Sequence, residues 1–295
     1  MSISEVKDNY KNVSDLVDSL KPINDTFAKK LFVNTLVCEE LIRVIMSNKN
    51  IIIRDNEIQN TIHNIDTRSV ILDLKCYEGD SKVYCVEFED NEEQDKHDHQ
   101  RRTRYNGACI QVQELEKRAK FAALPDICMI YITSKDIFGY KAVIGNESYR
   151  HIMLRVNDYD CSVEDNGYTE IYLNIENAVK RIDDDSDLAA YLRILGSSEV
   201  PLDDRFPHLC EKIKYYKEGE GYERMCQIMD RCYKRAEAQN TLKIAKKMLK
   251  NGCSIDMIKE NTELSADLIK ELMTTMNEQD EELLATTCEH LAAFN

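Results

Sequence analysis

The 295-residue sequence lacks the apolar segments that direct a chain to a membrane or across it. No uninterrupted apolar run approaches the ~18 residues that a spanning helix requires. The first segment, MSISEVKDNYKNVSDL, is polar and amphipathic, without the basic and apolar regions of a signal peptide. With 43% hydrophobic and 32% charged residues, the composition is that of a globular protein. We therefore expect a cytoplasmic protein with no membrane partner.

Several motifs of metal and nucleotide chemistry are also missing. The eleven cysteines never form a CxxC pair, which disfavours a zinc site and predicts reduced thiols. No GxxxxGK[ST] loop supports a nucleotide-driven motor, and no GxSxG elbow supports a serine hydrolase. His97 and His99 have no third histidine or cysteine nearby, so we expect ordinary loop histidines there.

The formal net charge of −15 leaves little positive charge for coating nucleic acid non-specifically. Basic residues nevertheless gather at 96–104, 117–120, 212–217 and 243–250. Charge runs of this kind are usually solvated faces, so each one alone is weak evidence. A small basic surface on an acidic molecule still permits an enzyme that acts on DNA.

Hydrophobic periodicity divides the chain into a mixed part and a helical part. Helical spacing at 24–50 and 95–121 alternates with strand-like runs at 51–59, 69–77, 82–90, 127–133, 151–156 and 170–175. The turn-rich link EGDSK predicts that 69–77 and 82–90 form a hairpin. This order predicts an α/β fold over residues 20–177. From 178 to 295 the spacing is helical, with a helix stop at Asn251-Gly252 and N-caps at Ser254 and Ser265.

Acidic residues that suit a cation lie in the predicted hairpin. Side chains alternate along a strand, so Glu87 and Glu89 point to one face, with Cα atoms roughly 7 Å apart. Asp73 stands in the apolar run 71–74, where an unpaired carboxylate is costly. An antiparallel partner strand brings Asp73 beside Glu87. Such oxygen ligands suit Mg²⁺ or Mn²⁺, which can orient a water and stabilise charge on a phosphate.

A structural interpretation explains the same hairpin. Glu87 and Glu89 also suit the solvent face of a half-buried pair of strands, and Asp73 also suits an ordinary lysine partner. Spacing alone leaves both interpretations open.

Several segments together resemble the PD-(D/E)xK nuclease-family transposases, also called the recombination-promoting nuclease (Rpn) group. The resemblance is carried by KPINDTFAKKLF, TRSVILDL, VYCVEFE, RRTRY and LPDICMIYITSKDIFG, in order over residues 20–140, and by LSADLIKEL near the C-terminus. It implies a restriction-endonuclease-like core, with a mixed sheet flanked by helices, and an all-helical C-terminal part. It also implies a DNA endonuclease that hydrolyses phosphodiester bonds with Mg²⁺ or Mn²⁺ and promotes recombination or DNA mobility.

Carried over by position, the first strand acid of the family falls on Asp73 and the second on Glu87. Two residues later, where the family usually has Gln or Lys, this chain has Glu89. The resemblance makes Glu89 a further ligand or base, or the mark of a weakened enzyme. The helix acid of such folds falls on Glu39 or Glu40. We favour Glu40 as a metal ligand, with an exposed helix carboxylate as the alternative.

Three arginines, Arg101, Arg102 and Arg104, follow the hairpin at the start of the next helix. In the family interpretation they face the phosphodiester backbone, with Tyr105 packed behind them. A solvated basic turn that balances the acidic run 87–95 explains them equally well.

Residues 253–276 resemble a helix-turn-helix, whose second helix lies in a DNA groove. Glu263 takes a turn position where glycine is common, and Lys270 is the only base of the second helix, so oligomerisation or core cover fits as well. Two functions stay open. The chain is a Mg²⁺-dependent DNA endonuclease, for which a homodimer would let two sites cut both strands, or a catalytically weakened relative that serves as a DNA-binding or protein-interaction module.

Overall fold

The computed structural model describes residue 7 and residues 10–62, 69–90, 96–138, 149–157 and 159–275. The chain forms two compact units, one from residues 18–217 and the other from residues 1–17 with 218–295. The boundary predicted near residue 178 was inferred from the change of period alone, and it stays a prediction. Among the described helices, none is long and apolar enough to span a membrane.

A six-stranded mixed sheet organises the 18–217 unit. The first three strands, β1 (Asp55–Ile62), β2 (Val70–Glu78) and β3 (Lys82–Glu89), are antiparallel. β4 (Asp126–Thr133) and β8 (Tyr168–Asn174) continue parallel to β3, and β5 (Arg150–Met153) closes the edge antiparallel to β8. β6 (Arg155–Val156) and β7 (Val163–Glu164) form a separate two-stranded ribbon.

One face of the sheet is covered by α4 (Lys96–Glu114). Ile110 of this helix packs with Cys85, Met129 and other buried residues of the central strands. The helix approaches closely at Gly107, where a Cβ would collide with the Tyr168 side chain. A short 3₁₀ turn at Phe121–Ala123 then leads into β4. This packing fixes the first turns of α4 over the ends of β3 and β4.

The first helix, α1 (Lys11–Ser19), lies mainly in the other unit, whose N-terminal part ends at Val17. Further helices build the rest of the 18–217 unit: α2 (Asp25–Leu31), α3 (Thr35–Met46), α5 (Ile175–Lys180), α6 (Asp187–Leu195) and α7 (Pro207–Glu218). The single helical pattern expected over 24–50 is two helices, because Asn34 caps α3 by accepting from the Leu36 amide. Phe32, in the break, stacks on Phe88 of β3 with ring centroids 4.8 Å apart. The break therefore places the end of α2 against the site-bearing strand.

The second unit is helical over its described residues. Besides most of α1, it contains α8 (Tyr222–Lys250), α9 (Ile255–Thr262) and α10 (Ala266–Thr275). Ser254 caps α9, as predicted, and Glu263 takes the left-handed conformation between the last two helices. Leu242, Ile258 and Ile269 form the centre of their small core. The predicted fold class, a mixed sheet flanked by helices with an all-helical C-terminal part, is confirmed.

Candidate active site

The ends of β2 and β3 bring Asp73 close to Glu87. The antiparallel ladder between these strands ends at the pair Leu74–Val86, and Asp73 and Glu87 are the next residue of each strand beyond that pair. There the Asp73 carboxylate accepts a hydrogen bond from the Phe88 backbone N–H, with 3.0 Å between Oδ2 and N. This bond fixes Asp73 beside the backbone that carries Glu87.

Glu87 and Glu89 are buried under α4, with 2% and 5% of their surface exposed. The interpretation that they line a solvent face is therefore wrong. Burial raises the pKa of Glu87 well above its ordinary value, and repulsion from Asp73 raises it further. Burial also raises the pKa of Asp73 and of Glu89. The carboxyl groups of Asp73, Glu87 and Glu89 share a desolvated site, so they resist full ionisation unless a positive charge lies nearby.

Arg102 of α4 supplies positive charge to these carboxylates. Its Nη1 forms a close ion pair with Glu89, and its Nη2 lies 3.6 Å from Oε2 of Glu87. Attraction to Arg102 opposes the rise of the pKa at both glutamates. The arginine side chain stays 43% exposed, so it contacts the carboxylates while open to solvent. Arg101 and Arg104 are exposed on the same helix, without an ion pair among the described residues.

His99 also belongs to α4, and the expectation of a loop histidine is wrong for it. The residue is buried, and its ring meets Tyr131 edge-on with centroids 5.0 Å apart. Its Nδ1 lies 3.9 Å from Oε2 of Glu89. Burial lowers the pKa of His99 to about 4, so the imidazole is neutral near pH 7. The side chain of His97 lies outside the described residues.

Two residues of α2 that the sequence analysis did not select lie beside Asp73. Asp25 and Lys29 line a small cavity with Asp73 and Phe88. The pKa of Asp73 is raised mainly by burial, while the charge of Asp25 adds to the rise and that of Lys29 opposes it. The two residues also form an ion pair one helical turn apart. Their signal was present in NDTFAKK, an acid and a lysine at i and i+4 within a segment that carries the resemblance.

Glu40 lies elsewhere in the same unit. Its carboxylate accepts hydrogen bonds from the backbone amides of His208 and Leu209, at 3.2 and 3.1 Å, in the first turn of α7. Burial raises its pKa, and the two amide hydrogen bonds oppose that rise. Neither partner belongs to the strands that carry the other selected residues. The structure therefore does not bring Glu40 together with Asp73 and Glu87, and it buries the carboxylate that could have been exposed.

The strand carboxylates fit a cation that is shared with water and substrate. Among the described residues, no group of three or more His, Cys, Asp or Glu side chains is arranged to hold a metal ion by itself. Oε1 of Glu87 is buried and has no hydrogen-bond partner there. Protein-bound Mg²⁺ commonly uses one or two carboxylates, with waters and phosphate oxygens completing its shell. Asp73 and Glu87 match that limited set of donors.

The sheet with its flanking helices, and the helices that follow it, are consistent with an α/β nuclease-like core and a C-terminal helix-turn-helix. Residues 238–274 match the model of the Rpn/YhgA-like nuclease family, C-terminal HTH domain. This stretch contains the end of α8, all of α9 and most of α10. The match supports the Rpn resemblance and a role in DNA binding, while the PD-(D/E)xK core has no match of its own. No curated protein and no solved structure matches the chain.

Proposed function

We propose that this chain is a metal-dependent DNA endonuclease that hydrolyses phosphodiester bonds. The observation that carries the proposal is the meeting of Asp73 and Glu87 at the end of the hairpin, each with a raised pKa. A buried pair of mutually repelling carboxylates is costly unless it binds something positive. The family of the matched C-terminal segment adds support for nuclease chemistry.

In this proposal the side chains have separate roles. Asp73 is anchored through Oδ2 to the Phe88 amide and keeps its other oxygen for a cation. Glu87 offers its unpartnered Oε1. A bound Mg²⁺ or Mn²⁺ would supply Lewis acidity toward the phosphate and its attacking water. Glu89 holds Arg102 at the site, and Arg101 and Arg104 face the phosphodiester backbone from the exposed side of α4.

Residues of α2 complete this proposed site. Asp25 and Lys29 lie beside Asp73, with an acid and a base one turn apart on the helix. The charge of Lys29 acts directly on Asp73, and the usual lysine position of the strand motif holds Glu89. We assign Lys29 to the positioning of water or phosphate, and Asp25 in place of Glu40 as the helix acid.

Cleavage of supercoiled plasmid with Mg²⁺ or Mn²⁺ tests the proposal. We expect nicking by the wild type and a loss of at least ~100-fold for Asp73→Ala, because the anchored ligand is removed. Asp80→Ala, in the exposed turn of the same hairpin, is the matched control and should cut normally. Equal nicking by wild type and Asp73→Ala would reject the assigned site. No nicking by folded wild type on any DNA form would reject the endonuclease.

A second candidate function is a nuclease-fold module without catalysis. It is favoured by the ion pairs of Arg102 with both Glu87 and Glu89, because a guanidinium can replace a metal as the balancing charge. In that case Mn²⁺ should not bind to the strand carboxylates at all. DNA binding that is unaffected by metal and by Asp73→Ala would identify this module.

A further inference from the structure

A second cavity lies within the 18–217 unit, and none of its lining residues belongs to β2, β3 or α4. Its volume is about 980 Å³, which is at the upper end of the ~300–1,000 Å³ typical of small-molecule sites. Its walls come from α3, the start of β5 and the N-terminal ends of α6 and α7. The cavity is therefore separate from the carboxylates proposed for nuclease chemistry.

Basic side chains predominate among the residues that line this cavity. The two carboxylates on its wall, Glu40 and Asp187, are already in use. Glu40 accepts from two amides of α7, and Asp187 pairs with Arg205 at 3.4 Å. The basic residues on the wall are Arg43, Lys49, Arg150, Arg181 and Arg205. This excess of directed N–H donors predicts an anionic ligand.

Three of the arginines are held by groups that do not line the cavity. Arg43 pairs with Glu39 at 2.8 Å and donates to the Ile51 carbonyl. Arg181 lies 3.5 Å from Asp184. Arg205 pairs with Asp203 at 2.8 Å and with Asp185 at 3.1 Å. A guanidinium has five N–H donors, so these partners orient Arg43 and Arg181 and leave donors for a ligand. The donors of Arg205 are taken by Asp185, Asp187 and Asp203, so Arg205 forms part of the wall.

The outer carboxylates also limit how an anion can bind. They balance much of the arginine charge, so a diffuse positive field is not the source of affinity. Affinity comes instead from pairs of N–H donors that are directed at oxyanions. Lys49 adds an exposed cation to the wall, and it has no ion pair among the described residues. A ligand with several phosphate oxygens satisfies this arrangement best.

Apolar and aromatic surface lines the remainder of the wall. Leu36 is 50% exposed there, and Val44 and Leu188 extend the same lining. Tyr149 stacks under Arg181, with 5.2 Å from the guanidinium carbon to the ring centroid. Phe206 lies 5.3 Å from the guanidinium carbon of Arg205, but it is buried against Tyr191 and only supports the wall from behind. Such a wall suits a flat organic group attached to the anion.

We propose that this cavity binds a nucleoside phosphate, with the phosphates on Arg43, Arg181 and Lys49 and the base against the apolar wall. The site goes beyond the proposed endonuclease and shares none of its assigned residues. Its binding can therefore be measured whether or not the chain cleaves DNA.

Calorimetry and thermal shift on the full chain test this site, with ADP, adenosine and pyrophosphate as probes. We expect ADP to raise the melting temperature and to bind at least ~10-fold more tightly than adenosine or pyrophosphate, because neither of those fills both halves of the cavity. Lys49→Ala/Arg181→Ala should weaken ADP at least ~10-fold. Lys117→Ala/Arg231→Ala removes one lysine and one arginine from exposed positions outside the cavity and should leave ADP binding unchanged.

Further outcomes would overturn the proposal. If the double variant is poorly folded, Leu36→Glu replaces it, because Leu36 is half exposed and a carboxylate there should repel ADP while Leu36→Gln does not. No binding of ADP to the wild type at millimolar concentration rejects the site. If pyrophosphate binds as tightly as ADP, the proposed contact of the base with the apolar wall is rejected. Displacement of ADP by a DNA oligonucleotide would assign the cavity to DNA instead.

Discussion

At the scale of single residues, the cost of ionising the strand carboxylates is the feature that is most open to measurement. Glu87 has a pKa raised above its ordinary 4.5 in the folded chain. Such a group binds more protons in the folded than in the unfolded state between these two pKa values. Its contribution to stability is therefore present below about pH 4.5 and is lost as pH rises through the folded pKa.

Glu87→Gln removes the carboxyl group and, with it, the loss of folding stability as pH rises. In metal-free buffer at pH 7–8 we expect the variant to melt about 2–4 °C above the wild type, because the amide has no ionisation that burial makes costly as pH rises. The difference should shrink as pH falls to 4.5 and below, where Glu87 becomes protonated in the unfolded as well as in the folded wild type. Melting curves from pH 4 to 8 measure this, with Glu116→Gln as a control at an exposed position. If Glu87→Gln is less stable than the wild type at pH 8, the charge of the Glu87 carboxylate is already well compensated in the folded chain.

The contact of Arg102 with both glutamates leads to a further prediction. Arg102→Gln removes the positive charge that competes with a cation for Glu87 and Glu89. We expect Mn²⁺ to bind about fivefold more tightly, which corresponds to ~1 kcal/mol. Electron paramagnetic resonance counts free Mn²⁺ directly, and Arg101→Gln on the same helix is the matched control. Weaker Mn²⁺ binding in Arg102→Gln would mean that the arginine holds the carboxylates in place for the metal.

Sequence reasoning predicted part of the candidate site and could not predict the rest. Asp73 and Glu87 follow from the hairpin register, because strand pairing is a local property of the chain. Asp25 and Lys29 lie beside Asp73 only because α2 packs on the strand ends, and no local pattern encodes that approach. In the sequence, Glu40 and Asp25 are both acids within a helical pattern. Only tertiary packing shows which of the two lies beside Asp73.

At the scale of secondary-structure elements, the contacts of Glu40 with the first turn of α7 explain why this acid is buried away from the strand carboxylates. The carboxylate accepts from the amides of His208 and Leu209, which an isolated helix leaves without partners at its N-terminus. A buried acid that joins α3 to α7 in this way fixes two helices together. Its sequence signal is indistinguishable from that of a catalytic helix acid.

Glu40→Ala tests the capping role. We expect a loss of about 1–2 kcal/mol of folding stability, seen as a melting temperature lower by several degrees, with cleavage retained at permissive temperature. Glu211→Ala, exposed within α7, should leave stability unchanged. Loss of cleavage at an unchanged melting temperature would restore Glu40 to the metal site.

The helices and strands were largely predictable where apolar and polar residues recur with a clear period. The hairpin, β4, β8 and the C-terminal helices fall within a few residues of their expected positions. The break at Phe32–Asn34 was not predicted, because apolar spacing continues across it. The helix at 95–121 ends at Glu114, before the run of exposed residues that has no core to bury against.

At the scale of the whole molecule, a net charge of −15 requires any DNA contact to be local. The matched segment 238–274 concentrates its bases at the end of α8, where Lys243, Lys246, Lys247 and Lys250 recur at three- and four-residue spacing. This set is the lysine stripe. The second helix of the turn, α10, has Lys270 next to Asp267, with 3.7 Å between their charged atoms. Phosphate binding is therefore expected from the stripe more than from α10.

Charge reversal in the lysine stripe of the full chain tests whether the stripe binds phosphate more than α10 does. We expect Lys243→Glu/Lys247→Glu/Lys250→Glu to weaken DNA binding and to reduce the slope of log K against log salt by about 0.9 for each phosphate that the variant no longer neutralises. These side chains are exposed and outside the small core of the unit, so the fold should survive, as circular dichroism can check. Lys270→Glu is the comparison, with a smaller expected effect. Binding abolished by Lys270→Glu and unchanged in the stripe variant would instead place α10 in the groove, because only a groove-bound helix would make one lysine outweigh three.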